Sequence, residues 1–259
     1  MTMSGFLSGW LERYLTHESK GPPNVATCDP DKLARALRPG DVLLVDSNSR
    51  VAMAIKFLTH STWAHAAIYT GPIAGRTSSD GEPHQLVEAE LGLGIISSPL
   101  SRYCHAHTRI CRPVGLNETE IVRLVAYVIG RIGDGYDTRN VIDLARYLLP
   151  TPPVPARFRR RMIALGSGSP TRAICSTLIA QAFEQVHYPV LPIIECLHET
   201  PGGQVTGGDL ANNQARQREI MRIRHHTLYT PADFDVSPYF AVIKPTIESG
   251  FDPHSLHYA

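Results

Sequence analysis

The sequence predicts an α+β fold built on a mostly antiparallel sheet. Two observations predict it. Short apolar runs punctuated by Gly and Pro dominate residues 40–113, and helix-period patterns dominate 117–186. Such segregation marks α+β rather than alternating α/β architecture. The 259 residues are 43% hydrophobic, which supplies a sizeable core for one large domain or two small ones.

In chain order, residues 5–16 read as a short amphipathic helix with Phe6, Leu7, Trp10, Leu11, Tyr14 and Leu15 on one face. Two uses fit that stripe: packing on the body of the protein, or a lid or peripheral membrane contact. Residues 19–31 are expected as loop, from Gly21-Pro22-Pro23 and Asp29-Pro30. Arg38-Pro39-Gly40-Asp41 is a turn, 42–45 a strand and 51–58 a helix. Residues 64–69 form a compact apolar run closed by Gly71-Pro72, which predicts a buried strand. Further strands are expected at 85–90 and 94–96, as a hairpin around Gly92, and at 108–113. Asn117-Glu118-Thr119-Glu120 is a capping box that starts a helix running to about Gly130.

Asp134-Gly135-Tyr136-Asp137 is a turn, and 141–149 a helix stopped by Pro150. Residues 150–170 carry Pro150, Pro152, Pro153 and Pro155, then Arg157, Arg159, Arg160 and Arg161, then Gly166-Ser167-Gly168: a basic insertion loop, either merely solvated or in contact with an anionic group. A helix follows at 175–186, with Leu178, Ile179, Ala182, Phe183 and Val186 on one stripe. Residues 195–215 are expected as Gly- and Asn-rich loop, and Tyr229-Thr230-Pro231-Ala232-Asp233 leads to a closing strand at 240–243.

Composition excludes several roles. With 25 basic and 24 acidic residues there is no global field to attract nucleic acid. Five cysteines, odd in number and without a Cys-x-x-Cys, argue against a disulfide framework or a zinc ribbon and for a reducing compartment. A secretory leader, a lipidated Cys28 and a membrane span of ~18–20 apolar residues are all unexpected, so a cytoplasmic location is expected.

Cys175 is the candidate nucleophile. It stands where a Gly- and Pro-marked loop gives way to an apolar-striped helix. A thiol there faces unpaired amides and the positive end of the helix dipole, which favour the thiolate and can hold an oxyanion. A thiol nucleophile works with an imidazole. Among twelve histidines, His65 is notable for interrupting the apolar strand Trp63-Ala64-His65-Ala66-Ala67-Ile68-Tyr69. Glu88 and Glu90 lie on one face of the next strand, ~4.8 Å away, either being able to orient the imidazole.

These segments resemble the circularly permuted papain-like enzymes of the NlpC superfamily, in the YiiX-like branch. Leu37-Arg38-Pro39-Gly40-Asp41-Val42-Leu43 is similar to the family's Pro-Gly-Asp turn and strand, and Thr62-Trp63-Ala64-His65-Ala66-Ala67-Ile68-Tyr69 to the strand that carries the base. Leu86-Val87-Glu88-Ala89 is similar to the strand with the orienting carboxylate, Gly135-Tyr136-Asp137 to the Pro-Tyr-Asp turn, and Ile174-Cys175-Ser176-Thr177-Leu178-Ile179 to the nucleophile helix. Tyr229-Thr230-Pro231-Ala232-Asp233 with Ser237-Pro238 resembles the C-terminal signature.

The match spans 37–245. It implies a permuted papain-like catalytic domain there, with an N-terminal helix and arm over 1–36 and a tail over 246–259. It implies nucleophile Cys175, base His65, orienter Glu88 and a substrate-lining Tyr136, with no cofactor or metal. Ala64, Ala67 and Thr177 depart from the family's usual Ser, Gly and acidic residue. The implied activity is hydrolysis of a peptide or isopeptide amide through an acyl-enzyme. The alternatives are acyl transfer or thioester chemistry on lipid substrates, as in lecithin retinol acyltransferase-like enzymes, and a non-enzymatic binding module.

Other constellations are discounted. Were Cys104-His105-Ala106-His107 a strand running to Cys111, His105 and Cys111 would stand about 20 Å apart, too far for one metal ion. The Gly202-Gly203 and Gly207-Gly208 pairs lack the lysine of a phosphate loop, and the arginine cluster lacks interleaved aromatics beyond Phe158.

Overall fold

A computed structural model describes residues 29–49, 52–53, 56, 59–90, 93–135, 174–197, 218–222, 229–252 and 254. The expected helices at 5–16 and 141–149, the basic loop at 150–170 and Tyr136 lie outside the described residues. The elements in chain order are α1 (Pro30–Ala36), β1 (Val42–Asp46), β2 (His65–Tyr69), β3 (His84–Glu90) and β4 (Gly94–Pro99). A 3-10 turn (Leu100–Tyr103), β5 (His107–Pro113), α2 (Glu118–Gly130) and α3 (Ile174–Gln185) follow. Last come β6 (Ile193–Leu197), β7 (Arg218–Arg222), α4 (Pro231–Val236), β8 (Phe240–Ile243) and α5 (Pro245–Glu248). Six strands form one sheet in the order β4-β3-β2-β1-β5-β8, every neighbouring pair antiparallel; β6 and β7 pair separately. Mixed α+β architecture with an antiparallel sheet is therefore the fold. Among the described residues no helix is long and apolar enough to cross a membrane.

Two local expectations are corrected, and one helix is added. The Asp29-Pro30 signal starts a helix rather than continuing a loop: the Asp29 carboxylate accepts from the amides of Asp31 (2.8 Å) and Lys32 (3.3 Å), and Pro30 takes the first turn, where its missing N–H costs nothing. Residues 195–197, expected as loop, instead close β6, which pairs with β7. The Thr230-Pro231 segment folds into α4 before the closing strand, with Asp233 accepting from the Thr230 amide (2.7 Å) and hydroxyl (2.8 Å). The Asn117 capping box forms as expected, Asn117 and Glu120 each accepting from the other's amide at 3.0 and 2.9 Å.

The sheet is covered on both faces, which is why β1 reads as an unbroken apolar run rather than an alternating one: Val42, Leu43, Leu44 and Val45 are all buried. One face, with Val42, Leu44, Ala66, Ile68 and Val87, packs against Leu178, Ile179, Ala182 and Phe183 of α3 and Leu124 and Val128 of α2. The other face, with Leu43, Val45, Ala67, Tyr69 and Leu86, packs against Leu33 and Ala36 of α1 and Leu100 of the 3-10 turn. Thus α1, which precedes residue 37, belongs to the core. Each large side chain so buried contributes about 1.5–3 kcal/mol.

Two contacts lock the sheet. Gly40 adopts φ +92° at the Pro-Gly-Asp turn, and Asp41 behind it is 1% exposed. Arg112 of β5 grips the Asp41 carboxylate with two parallel bonds, Nε to Oδ1 at 2.9 Å and Nη2 to Oδ2 at 2.7 Å, while Nη2 also reaches the Ala36 carbonyl at 2.6 Å. The Arg38 amide donates to the same carboxylate at 2.8 Å. One ion pair therefore ties α1, the turn and β5 together. The second contact is at Gly94, φ +80°, where an added Cβ would stand 2.4 Å from the Asp134 carbonyl oxygen. That oxygen accepts from the Ile95 amide at 3.0 Å, so the β3–β4 hairpin is pressed against the end of α2.

Two stability outcomes follow. Arg112→Ala leaves the Asp41 carboxylate buried without its partner and costs about 3–5 kcal/mol in urea unfolding; a loss below about 1 kcal/mol would show that water replaces the arginine. Gly94→Ala combines left-handed strain of about 1–3 kcal/mol with the backbone clash and lowers the melting temperature; an unchanged melting temperature would contradict the close approach.

Candidate active site

Strand register brings His65 to Glu88. Across β2–β3, Ile68 faces Val87 and Tyr69 faces Leu86. One further step sets Ala67 opposite Glu88, and alternation puts His65 on the same face, diagonal to Glu88 and within reach of a long side chain. The His65 Nε2 lies 2.5 Å from Glu88 Oε2. Counting on would set Glu90 opposite His65, but Arg102 holds the Glu90 carboxylate at 2.8–2.9 Å. Of the two carboxylates that periodicity leaves open, Glu88 is thus the one on the ring.

Glu88 is 1% exposed, and its two oxygens are satisfied from four sides. Oε2 accepts from His65 and from the Tyr103 hydroxyl, Oε1 accepts from Ser98 Oγ at 2.5 Å, and Arg102 Nη1 stands 3.5 Å from Oε1. Burial alone would raise this carboxyl; the His65 hydrogen bond and charge, with Arg102 and Ser98, overcome it and hold it down at about 2. Glu88 is therefore ionised at neutral pH.

Cys175 arrives from the other packing layer. It is the second residue of α3 and 4% exposed, so it stands in the first turn, where amides have no partner within the helix itself. The stripe of Leu178, Ile179, Ala182 and Phe183 seats α3 on the sheet, and Ser176 Oγ pins its first turn to the Tyr229 carbonyl at 2.8 Å. The Cys175 side chain lies close enough to the His65 ring to act on its protonation. With Nε2 on Glu88, Nδ1 is the nitrogen left for the thiol. Burial disfavours the charged ring, but Cys175 and Glu88 outweigh it and push His65 up to about 10. The arrangement can store a proton on the imidazole and negative charge on sulfur, with 20% of the His65 side chain still open to solvent.

Sequence reasoning missed Ser98, Arg102 and Tyr103. Ser98 had a signal, a serine pair inside the apolar run Ile95-Ile96-Ser97-Ser98 beside a strand bearing a carboxylate. Arg102 and Tyr103 had none, since only the 3-10 turn after Pro99 folds them back over the sheet. The Cys104 segment is a turn rather than a strand, with β5 beginning at His107. His107 stacks on Trp63, ring centroids 5.0 Å apart. Among the described residues no group of three or more metal-ligating side chains is gathered.

The pH dependence of stability reports this pair. Glu88 is lowered from 4.5 to about 2, so its contribution is present above pH 4.5 and is lost as pH falls toward 2. His65 is raised from 6.5 to about 10, so its contribution is complete below pH 6.5 and is lost as pH rises through 10. The stability gap between the native chain and Glu88→Gln should therefore peak between about pH 4.5 and 6.5, on the order of 3 kcal/mol, and narrow on both sides. A gap independent of pH in denaturant titrations would contradict the ionised pair.

No family model matches the chain. Among solved structures, the chain is similar to the metalloprotein yiiX from Escherichia coli O157:H7, with 16% sequence identity and a TM-score of 0.45, over 81% of this chain and 97% of that one. A similarity at that level carries no argument about the site.

Proposed function

We propose that the protein is a thiol-dependent hydrolase that cleaves an amide bond through an acyl-enzyme on Cys175. The observation that carries this is the chain of contacts from a helix-start thiol to an imidazole to a buried carboxylate. His65 takes the thiol proton on Nδ1, and the thiolate attacks the substrate carbonyl. The first amides of α3 then stabilise the oxyanion. As the carbon–nitrogen bond breaks, the imidazolium returns its proton to the departing amine, leaving a thioester on Cys175. Water, deprotonated by the neutral imidazole, then releases the acid. Glu88 keeps the ring in one tautomer and one orientation, as the third member of a triad does.

The resemblance of the Pro-Gly-Asp, histidine-strand, glutamate-strand and cysteine-helix segments to permuted papain-like enzymes supports the same reading. So does the contrast with Cys111. Burial and Asp235 push its thiol up to about 12, so at neutral pH it stays protonated and unreactive. A thiolate nucleophile also suits the reducing, cytoplasmic setting expected from cysteine usage.

The test combines labelling and turnover. An electrophilic thiol probe should modify Cys175 selectively, with labelling lost in His65→Ala. Cys175→Ala should lower hydrolysis across an amide and ester panel by a factor on the order of 10³ or more. Equal labelling of the cysteines, with turnover unchanged in Cys175→Ala, would sink the assignment.

A further inference from the structure

The Glu88 carboxylate does more than face the histidine. Its Oε2 accepts from two donors at once, the His65 ring and the Tyr103 hydroxyl, while Oε1 takes Ser98 and the Arg102 charge. Tyr103 is held over the site by its own surroundings: its ring centroid lies 6.0 Å from that of His65, and the Arg102 guanidinium lies 5.8 Å from the Tyr103 ring centre. Burial and the adjacent Glu88 charge raise the phenol well above its ordinary range, so it remains a donor wherever the protein is folded.

This sharing matters because the imidazolium has two opposed tasks. It must be stable enough to coexist with the Cys175 thiolate, yet acidic enough to protonate a leaving amine. A buried carboxylate devoted wholly to one ring N–H would serve the first task and impede the second. A second donor on the same oxygen draws electron density from it and weakens its pull on the ring.

We propose that Tyr103 is a positioning residue that divides the Glu88 Oε2 lone pairs with His65, limiting the carboxylate's hold on the imidazolium so that it can release its proton to the leaving group. This rests on the acyl-enzyme reading above. The step it assists is collapse of the tetrahedral adduct: the carbon–nitrogen bond breaks, the nitrogen takes the Nδ1 proton, and neutral His65 and a Cys175 thioester remain. The charged and titratable groups bearing on His65 are Cys175 from α3, Glu88 and Glu90 from β3, and Arg102 and Tyr103 from the 3-10 turn. Of these, Tyr103 can lose its one bond to Glu88 with its ring kept in place.

Tyr103→Phe tests this on the full chain with paired amide and p-nitrophenyl ester substrates bearing one acyl group. The ester's leaving group departs without a proton, so its acylation serves as the control. The expected result is an upward move of the alkaline limb of kcat/KM, together with an amide rate reduced about five- to tenfold while the ester rate holds within about twofold. Ser98→Ala, which removes the donor on the other oxygen, should move the limb in the same direction. An equal loss on both substrates, or a limb that stays or moves down, would overturn the proposal and leave Tyr103 a packing residue. NMR titration of the His65 ring gives a readout without turnover. If the native chain shows no Cys175-dependent hydrolysis, the acyl-enzyme reading fails, yet a raised His65 midpoint in Tyr103→Phe would still establish the sharing. An unmoved or lowered midpoint would refute it.

Discussion

A carboxylate sealed inside a sheet is the constraint around which the rest of this site is arranged. An unpaired buried ion costs several kcal/mol, so Glu88 is tolerable only where donors converge on both oxygens. Those donors come from β2, β4 and the 3-10 turn, as His65, Ser98, Tyr103 and Arg102. Satisfying the charge therefore fixes the relative placement of three segments. It also decides details that would otherwise be free. The ring must present Nε2 to Glu88, which turns Nδ1 toward the thiol. Arg102, drawn in by Glu88, takes Glu90 as well and removes it from competition for the histidine.

The other half of the site is placed by packing rather than by charge. Cys175 reaches His65 because α3 lies on the sheet through Leu178, Ile179, Ala182 and Phe183. Phe183 in turn meets Tyr188, Phe234 and Phe240, with ring centroids 5.1–6.3 Å apart. This cluster joins α3, α4 and β8, remote in sequence but contiguous in the core. The thiol and the imidazole thus depend on two independent supports, one electrostatic and one apolar. Interiors packed at crystal-like density transmit small displacements, so the thiol's position is set by residues that never touch it.

Much of this is legible in the amino-acid order, and the exceptions share a cause. Strands at 42–46, 65–69, 84–90, 107–113 and 240–243 are signalled by apolar runs between turn residues, and the Asn117 capping box by a local hydrogen-bond pattern. His65 and Cys175 stand out as polar or reactive groups in apolar contexts. Local signals that serve two purposes mislead: Asp-Pro marks a loop or a helix N-cap, and only the Asp31 and Lys32 amides settle which. Glu88 and Glu90 share a face, so alternation cannot separate them; the His65 contact to Glu88 and the Arg102 hold on Glu90 do. Tyr103 is invisible because its role depends on a chain reversal at Pro99, a tertiary fact with no periodicity to announce it.

The cysteines show how little residue type alone conveys. Cys111 and Cys175 are both buried and reduced. Cys111 lies in mid-strand on β5, its amide and carbonyl committed to the ladder opposite Val42 and Val242. Desolvation there meets the Asp235 carboxylate, and both effects oppose a second negative charge. Cys175 lies in the first turn of a helix, beside an imidazole. The same low dielectric that suppresses the first thiol strengthens the attraction between the second and its histidine. Burial alone therefore does not set the reactivity of a thiol. What decides is the sign of the charge that burial brings alongside, and at Cys175 that charge is the imidazolium that Glu88 keeps in place.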